Sequence, residues 1–275
     1  MKERLILTLA LVLLAPTALA QHKPYFTKLQ DSLPHAKKSG MGELIAEIGS
    51  HFLKTPYEGH TLEGKGEEQL TVRFESFDCF TFVESSLALA RTLKRQQPEF
   101  NTFQAELERI RYRSGRLDGY TSRLHYTSDW AWDNATRGIL TNMTPRIGGV
   151  PYEKTIDFMT QHTSAYRQLA SQERVEAMQK IEDALNSREH YFLPKNKIRQ
   201  QEHLILQGDI IALTSAVKGL DVAHVGLAVT REGRLYLLHA SSKSGLVEIS
   251  QNPLHEYLAT MKNRTGIMVF RACKP

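Results

Sequence analysis

Ser76-Phe77-Asp78-Cys79-Phe80-Thr81-Phe82-Val83-Glu84 puts a cysteine where a long helical pattern begins. Phe82, Val83, Leu87, Ala90 and Leu93 follow, and the body of the segment is almost fully apolar up to about Lys94. That pattern predicts a buried central helix. A helix start offers unpaired N–H groups and a positive dipole end. A thiol placed there loses its proton more readily, and the thiolate is the nucleophile. Cys79 is therefore a candidate nucleophile. The competing reading is an inert thiol, since free cysteine is among the most buried residue types. Asp78, directly before it, suits an N-cap or a contact to substrate.

Downstream, the pattern changes from helical to strand-like. Residues 208–213, 222–230, 234–240, 245–249 and 266–271 are short apolar or alternating runs with turn residues between them. They predict a small antiparallel sheet of about five strands. Helices first and strands later indicate an α+β fold. Upstream, Met41 to Leu53 and Phe103 to Tyr112 carry helical spacing, and residues 21–40 look like an irregular lead-in. Leu70, Val72 and Phe74 alternate as a short strand would. Between Pro98 and Gly208 the chain reads as mostly helical, with helices expected at 129–140, 158–169 and 173–185 and a short strand or turn at 191–194. No linker splits the chain, so residues 21–275 form one expected domain with a helical insertion at about 97–200.

The first 20 residues are excluded from that domain. Lys2 and Arg4 precede an apolar run from Leu5 to Leu14, which ends near Ala18-Leu19-Ala20. A basic start, a short apolar stretch and a small-x-small end read as a secretory signal, too short for a membrane span. The protein is expected to be exported, to a periplasm or beyond, with no stable membrane insertion once the signal is cleaved. The net charge of +5 is scattered rather than blocked. It favours anionic wall polymers and argues against nucleic acid. A monomer is expected.

Two cysteines, Cys79 and Cys273, are far apart in the sequence. A chain of this size does not need a disulfide staple, so Cys273 reads as structural. Among the eleven histidines, two sit inside apolar strands. His224 opens His224-Val225-Gly226-Leu227-Ala228-Val229, and His239 closes Leu235-Tyr236-Leu237-Leu238-His239. The turn Arg231-Glu232-Gly233-Arg234 joins these runs as a hairpin. Its open end then carries both histidines, where a helix packed on the sheet can deliver Cys79. A thiol needs a base, and the base needs an orienting group. Zinc is the other chemistry for such residues, but no CxxC or HExxH pairing accompanies them. No cofactor is expected.

The order Asp78-Cys79, Gly208-Asp209-Ile210-Ile211-Ala212-Leu213, His224-Val225-Gly226 and His239-Ala240-Ser241 resembles the NlpC-type papain-like cell-wall hydrolases. More narrowly, the Asp78 to Glu84 string and Arg123-Leu124-His125-Tyr126 with Trp130 resemble a bacterial branch that cuts between N-acetylmuramic acid and L-alanine. The resemblance implies a papain-like fold with the nucleophile helix packed on the sheet. It implies Cys79 as nucleophile, His224 as general base and His239 as its orienting partner. Asp78, Arg123, His125, Tyr126 and Trp130 become candidates for binding peptidoglycan or muropeptides. A γ-D-glutamyl-diaminopimelate endopeptidase and a non-catalytic wall-binding protein are the alternatives. The long insertion departs from smaller members, and no SH3-like targeting module is apparent.

Overall fold

A computed structural model describes residues 22–64 and 66–275; the expected export signal at 1–20 lies outside the described residues. The helices are α1 (Lys23–Ser32), α2 (Met41–His51), α3 (Cys79–Leu93), α4 (Phe100–Arg111), α5 (Thr127–Thr136), α6 (Phe158–Gln161), α7 (Gln172–Asn186), α8 (Ile198–Gln201) and α9 (Leu254–Ala259). The strands are β1 (Leu140–Asn142), β2 (Val150–Pro151), β3 (Tyr191–Pro194), β4 (Ile210–Ser215), β5 (Val222–Arg231), β6 (Arg234–Ser241), β7 (Leu246–Ile249) and β8 (Arg264–Ala272). The architecture is α+β, with an antiparallel sheet.

The sheet has eight strands in the order β2-β3-β8-β4-β5-β6-β7, and β1 also pairs with β8. The five expected C-terminal strands are β4 to β8. The other three come from the segment at 97–200, which is therefore not purely helical. They are two to four residues long, too short to show a period of two. What seats β3 is a glycine on its partner: a β-carbon on Gly266 would lie 2.1 Å from the Leu193 carbonyl oxygen.

Several other boundaries differ from expectation. The lead-in contains α1, whose Phe26 and Leu29 are buried. Apart from Pro24 and Tyr25 its remaining residues are polar, which hides the short apolar stripe. The helix expected at 158–169 is instead α6 followed by single 3-10 turns, with Met159 and Leu169 buried from these turns. Helix α5 stops before Gly138, so Leu140 lies on β1. Val72 and Phe74 are buried, but no strand forms there.

Each face of the sheet has its own core. On one face Ile210, Ala212, Val225, Leu227, Leu238, Met268 and Phe270 pack with the apolar residues of α2, α3 and α4. On the other, Ile211, Leu213, Leu237, Ile267 and Val269 pack with Leu254 and Leu258 of α9. Helix α3 is the expected buried centre, with every residue from Thr81 to Leu93 buried. It is not apolar all round. Glu84 accepts Arg111 Nε–H of α4 at 2.7 Å, and Arg91 Nε–H donates to Glu106 of α4 at 2.8 Å. Arg91 Nη1 also donates to the Cys273 carbonyl at 3.2 Å. The helix expected to be almost fully apolar thus carries buried charges, matched by the Arg- and Glu-bearing face of its neighbour.

The start of α2 meets the start of β4 backbone to backbone. Gly208 has φ +75°, and a β-carbon there would fall 1.9 Å from the Gly42 carbonyl oxygen. Both the left-handed conformation and the contact exclude a side chain. Gly208→Ala is expected to destabilise the protein by about 2–4 kcal/mol, read as a lower urea midpoint; an unchanged midpoint would refute the close approach.

Candidate active site

Asp78 forms the N-cap of α3. Its Oδ1 accepts the N–H groups of Phe80 at 3.0 Å and Thr81 at 2.7 Å, and Thr81 Oγ1 returns by accepting the Asp78 N–H at 3.0 Å. Of its two expected roles, the structure shows the capping one. The cap fixes where the helix begins, and hence where Cys79 points. The Phe77 ring is fully buried and packs on Phe52 at 4.7 Å and on Phe82 at 6.1 Å. Phe80 meets Trp130 edge-on at 5.3 Å. These rings hold the first turn of α3 on both sides.

Strands β5 and β6 pair from Arg231–Arg234 at the turn back to Leu227–Leu238. The Cys79 sulfur takes the Val225 N–H instead, along with those of Cys79 and Phe80. The nucleophile candidate therefore sits beside β5, one residue from His224. Burial, and next the Asp78 charge, push its pKa up to about 12, against those three N–H groups. This overturns the expectation of a thiol acidified by its helix start: desolvation outweighs the dipole.

His224 and His239 come together as the hairpin predicts. His224 Nε2 and His239 Nδ1 are 2.7 Å apart, with the rings perpendicular. Burial, then the charges of His239 and Arg264, push His224 down to about 3. Burial takes His239 down to about 4, opposed by Glu248. Both rings are thus neutral at pH 7, and one donates to the other. With Nε2 engaged, Nδ1 is the remaining ring nitrogen of His224. Gly226 makes the room: a β-carbon there would lie 3.0 Å from His239 Cβ and 2.8 Å from the Leu238 carbonyl oxygen.

The other sequence candidates back the site rather than line an open cleft. Arg123 is buried and paired with Glu63 at 2.6 Å and Glu68 at 3.3 Å. Tyr126 is buried, and its hydroxyl donates to Glu182 at 2.7 Å. Trp130 is 1 % exposed. His125 Nε2 lies 2.9 Å from the Tyr120 carbonyl oxygen, and burial pushes its pKa down to about 3. Aromatic and arginine side chains in one segment suggested a sugar-binding wall; their burial answers to packing and ion pairing instead. The segment does reach the site end of the sheet, because Ser128 N–H and Oγ–H both donate to Asp221, at 2.8 and 2.6 Å.

Sequence reasoning missed four residues near the site. Tyr57 lies close enough to Cys79 and Asp78 for their charges to help raise its pKa, after burial. Glu248 pairs with His239 across β6 and β7. Tyr257 of α9 brings its ring to 5.7 Å from that of His239. Arg264 begins β8. Strand register is the signal that would have found Glu248. Both cysteines are free, and Cys273 Sγ lies 3.4 Å from Thr141 Oγ1. Among the described residues no group of three or more His, Cys, Asp or Glu is placed to hold a metal.

Residues 47–267 match the AmiA-like family, described as N-acetylmuramoyl-L-alanine amidase-like. The chain belongs to this AmiA-like family. The fold is similar to the crystal structure of an N-acetylmuramoyl-L-alanine amidase from Bacteroides uniformis, at 39% identity and a TM-score of 0.82, covering 85% of this chain and 99% of that one. It is similar to a candidate xylanase from Bacteroides fragilis, at 42% identity and a TM-score of 0.78, covering 82% and 99%. A Legionella pneumophila protein at 22% identity, with a TM-score of 0.73 over 93% and 96%, shares the fold. No curated protein matches. The AmiA-like chain is an N-acetylmuramoyl-L-alanine amidase-like enzyme.

Proposed function

We propose that this AmiA-like enzyme is an exported cysteine amidase that hydrolyses the amide between N-acetylmuramic acid and L-alanine, in peptidoglycan or muropeptide fragments. The arrangement is read as papain-like and related to the NlpC-type hydrolases, with Cys79, His224 and His239 as the triad. The observation that carries the reading is the 2.7 Å contact between His224 Nε2 and His239 Nδ1 beside a thiol seated on the Val225 N–H. The Bacteroides uniformis amidase, alike over most of both chains, supports the bond choice. The stretch at 1–20 serves as the export signal, and the mature enzyme acts as a monomer.

The resting pair is a neutral thiol and a neutral imidazole, because burial penalises both charged forms. Attack on the lactyl carbonyl is therefore coupled to transfer of the thiol proton to His224 Nδ1. His224 Nε2–H donates to His239 throughout, which fixes the ring and its tautomer. The Cys79 N–H, at the start of α3, faces the developing oxyanion. Collapse of the tetrahedral intermediate breaks the C–N bond, and His224 gives the proton to the departing alanine amine. Water, deprotonated by His224, then hydrolyses the thioester to the free lactyl carboxylate and restores the thiol.

Digestion of defined muropeptides followed by mass spectrometry tests the bond. Intact stem peptide released from muramic acid is expected. Shortened stems with surviving sugar–alanine bonds would instead make the enzyme an endopeptidase. His239→Ala is expected to lower kcat/KM about 10²-fold with little change in KM; a change in KM alone would remove His239 from the proton relay.

The pH profile follows from His224. A base works only unprotonated, so activity falls as pH drops through its folded pKa. With that value pushed to about 3, the acid limb of kcat/KM is expected below pH ~5 rather than near the ordinary histidine value of ~6.5. A limb centred near pH ~6.5 would show that His224 titrates as a solvated imidazole. The same shift acts on stability. The unfolded chain takes up these protons first, so stability declines as pH falls below ~6.5.

A further inference from the structure

Among the described residues Arg264 is a cation without an anionic partner, on the His224 face of the sheet. His224 pairs with Leu213 of β4, which pairs with Ile267 of β8. Two residues further along, past an extra residue at Thr265 on β8, Ser215 pairs with Arg264. Leu213 and Ser215 share a face, since side chains alternate along a strand. Paired residues also share a face, so His224 and Arg264 lie on one face at one end of the sheet. Tyr257, against His239, packs on that face with the α9 core.

The Arg264 Nε–H is buried without a hydrogen-bond partner, and Nη1 reaches only the carbonyl of its neighbour Asn263, at 3.2 Å. Among the described residues no carboxylate forms an ion pair with it. The more deeply placed arginines Arg91, Arg111 and Arg123 differ, since each holds one. A half-buried guanidinium left unpaired carries a desolvation cost with nothing in the free enzyme to offset it. Its planar fork matches a carboxylate. Its charge also reaches the dyad, since it lowers the proton affinity of His224.

We propose that Arg264 anchors a carboxylate of the leaving peptide and so makes the enzyme selective for stems with free, rather than amidated, carboxyl groups. The proposal rests on the amidase reading. In that substrate the lactyl carboxyl is consumed in the scissile amide, so the remaining carboxylates lie on the peptide side. The sheet order sets the direction. Arg264 on β8 and Glu248 on β7 flank the histidines from opposite sides. An anionic stem is drawn towards β8 and repelled from β7. The peptide therefore leaves on the β8 side of His224, the residue that must protonate its amine.

The test compares kcat/KM on matched muropeptides whose stem carboxyls are free or amidated, for the wild type, Arg264→Gln and Arg264→Lys. A charge-assisted pair predicts a wild-type preference for the acid of about 10- to 100-fold. Arg264→Gln loses that preference by slowing on the acid alone, and Arg264→Lys keeps part of it. Equal wild-type rates on both substrates overturn the anchor while leaving the amidase reading intact. So does an equal loss on both substrates in Arg264→Gln. Should Arg264→Gln fail to fold, Arg264→Lys decides, and a full wild-type preference in that variant overturns the bidentate anchor. Wild-type enzyme inert on both substrates overturns the amidase reading, and the anchor with it.

Discussion

Cys79→Ala is expected to reduce amide hydrolysis by about 10⁴-fold or more, to the level left by binding alone. The loss should be confined to chemistry. The Asp78 cap uses the N–H groups of Phe80 and Thr81 rather than the thiol, so α3 starts where it did before. Muropeptide binding and the thermal midpoint should change little. Release of stem peptide by the variant, followed by mass spectrometry against wild type, is the measurement. Turnover equal to wild type would remove the nucleophile and leave a wall-binding protein in its place. A thiol whose pKa sits near 12 also predicts slow alkylation by iodoacetamide at pH 7, in line with activation only when substrate and base are aligned.

Arg111→Met is the substitution with the largest expected effect on stability. Glu84 and Arg111 are 1 % and 2 % exposed at their side chains and 2.7 Å apart. Arg111 Nη1 also donates to the Thr71 carbonyl at 2.7 Å. Removing the guanidinium strands a carboxylate inside the helix pair and costs about 3–5 kcal/mol. Burial already raises the Glu84 pKa, and Arg111 opposes that shift. Without it, Glu84 takes up a proton on folding. The variant should therefore regain stability as pH is lowered, because protonation removes the stranded charge. Glu84→Leu combined with Arg111→Met should recover most of the loss. Urea denaturation of the two single variants and the double variant measures the coupling. Additive losses would show that the pair contributes through packing and not through charge.

The five C-terminal strands, the central helix and the histidine pair were legible because each carries a local pattern. Alternation marks a strand, and apolar continuity marks a buried helix. The turn at Glu232-Gly233 fixes which ends of β5 and β6 meet. What was not legible depends on partners distant in the chain. Strand β3 exists because Gly266 admits Leu193. Glu84 and Arg91 are buried because α4 supplies Arg111 and Glu106. Residue type marked Arg123, Tyr126 and Trp130 as ligand-binding, yet type alone does not distinguish a cleft wall from its backing. Burial decided that, and it also reversed the direction of the Cys79 titration. Arg264 was passed over because a lone arginine near a strand start has no signature until the strand bulge sets its face.

The last of the described strands is not at an edge. Strand β8 lies between β3 and β4 and also carries β1, and the carbonyl of Cys273, just past it, receives Arg91 of the nucleophile helix. During synthesis, β1 and β3 emerge long before the strand that pairs with them. Until residues 264–272 are free, β4 has a neighbour on one side only, and Arg91 lacks one of its acceptors. Sheet and helix therefore close together, once residues 264–272 have emerged. Loss of residues 264–272 would therefore act on the middle of the sheet rather than on an edge strand.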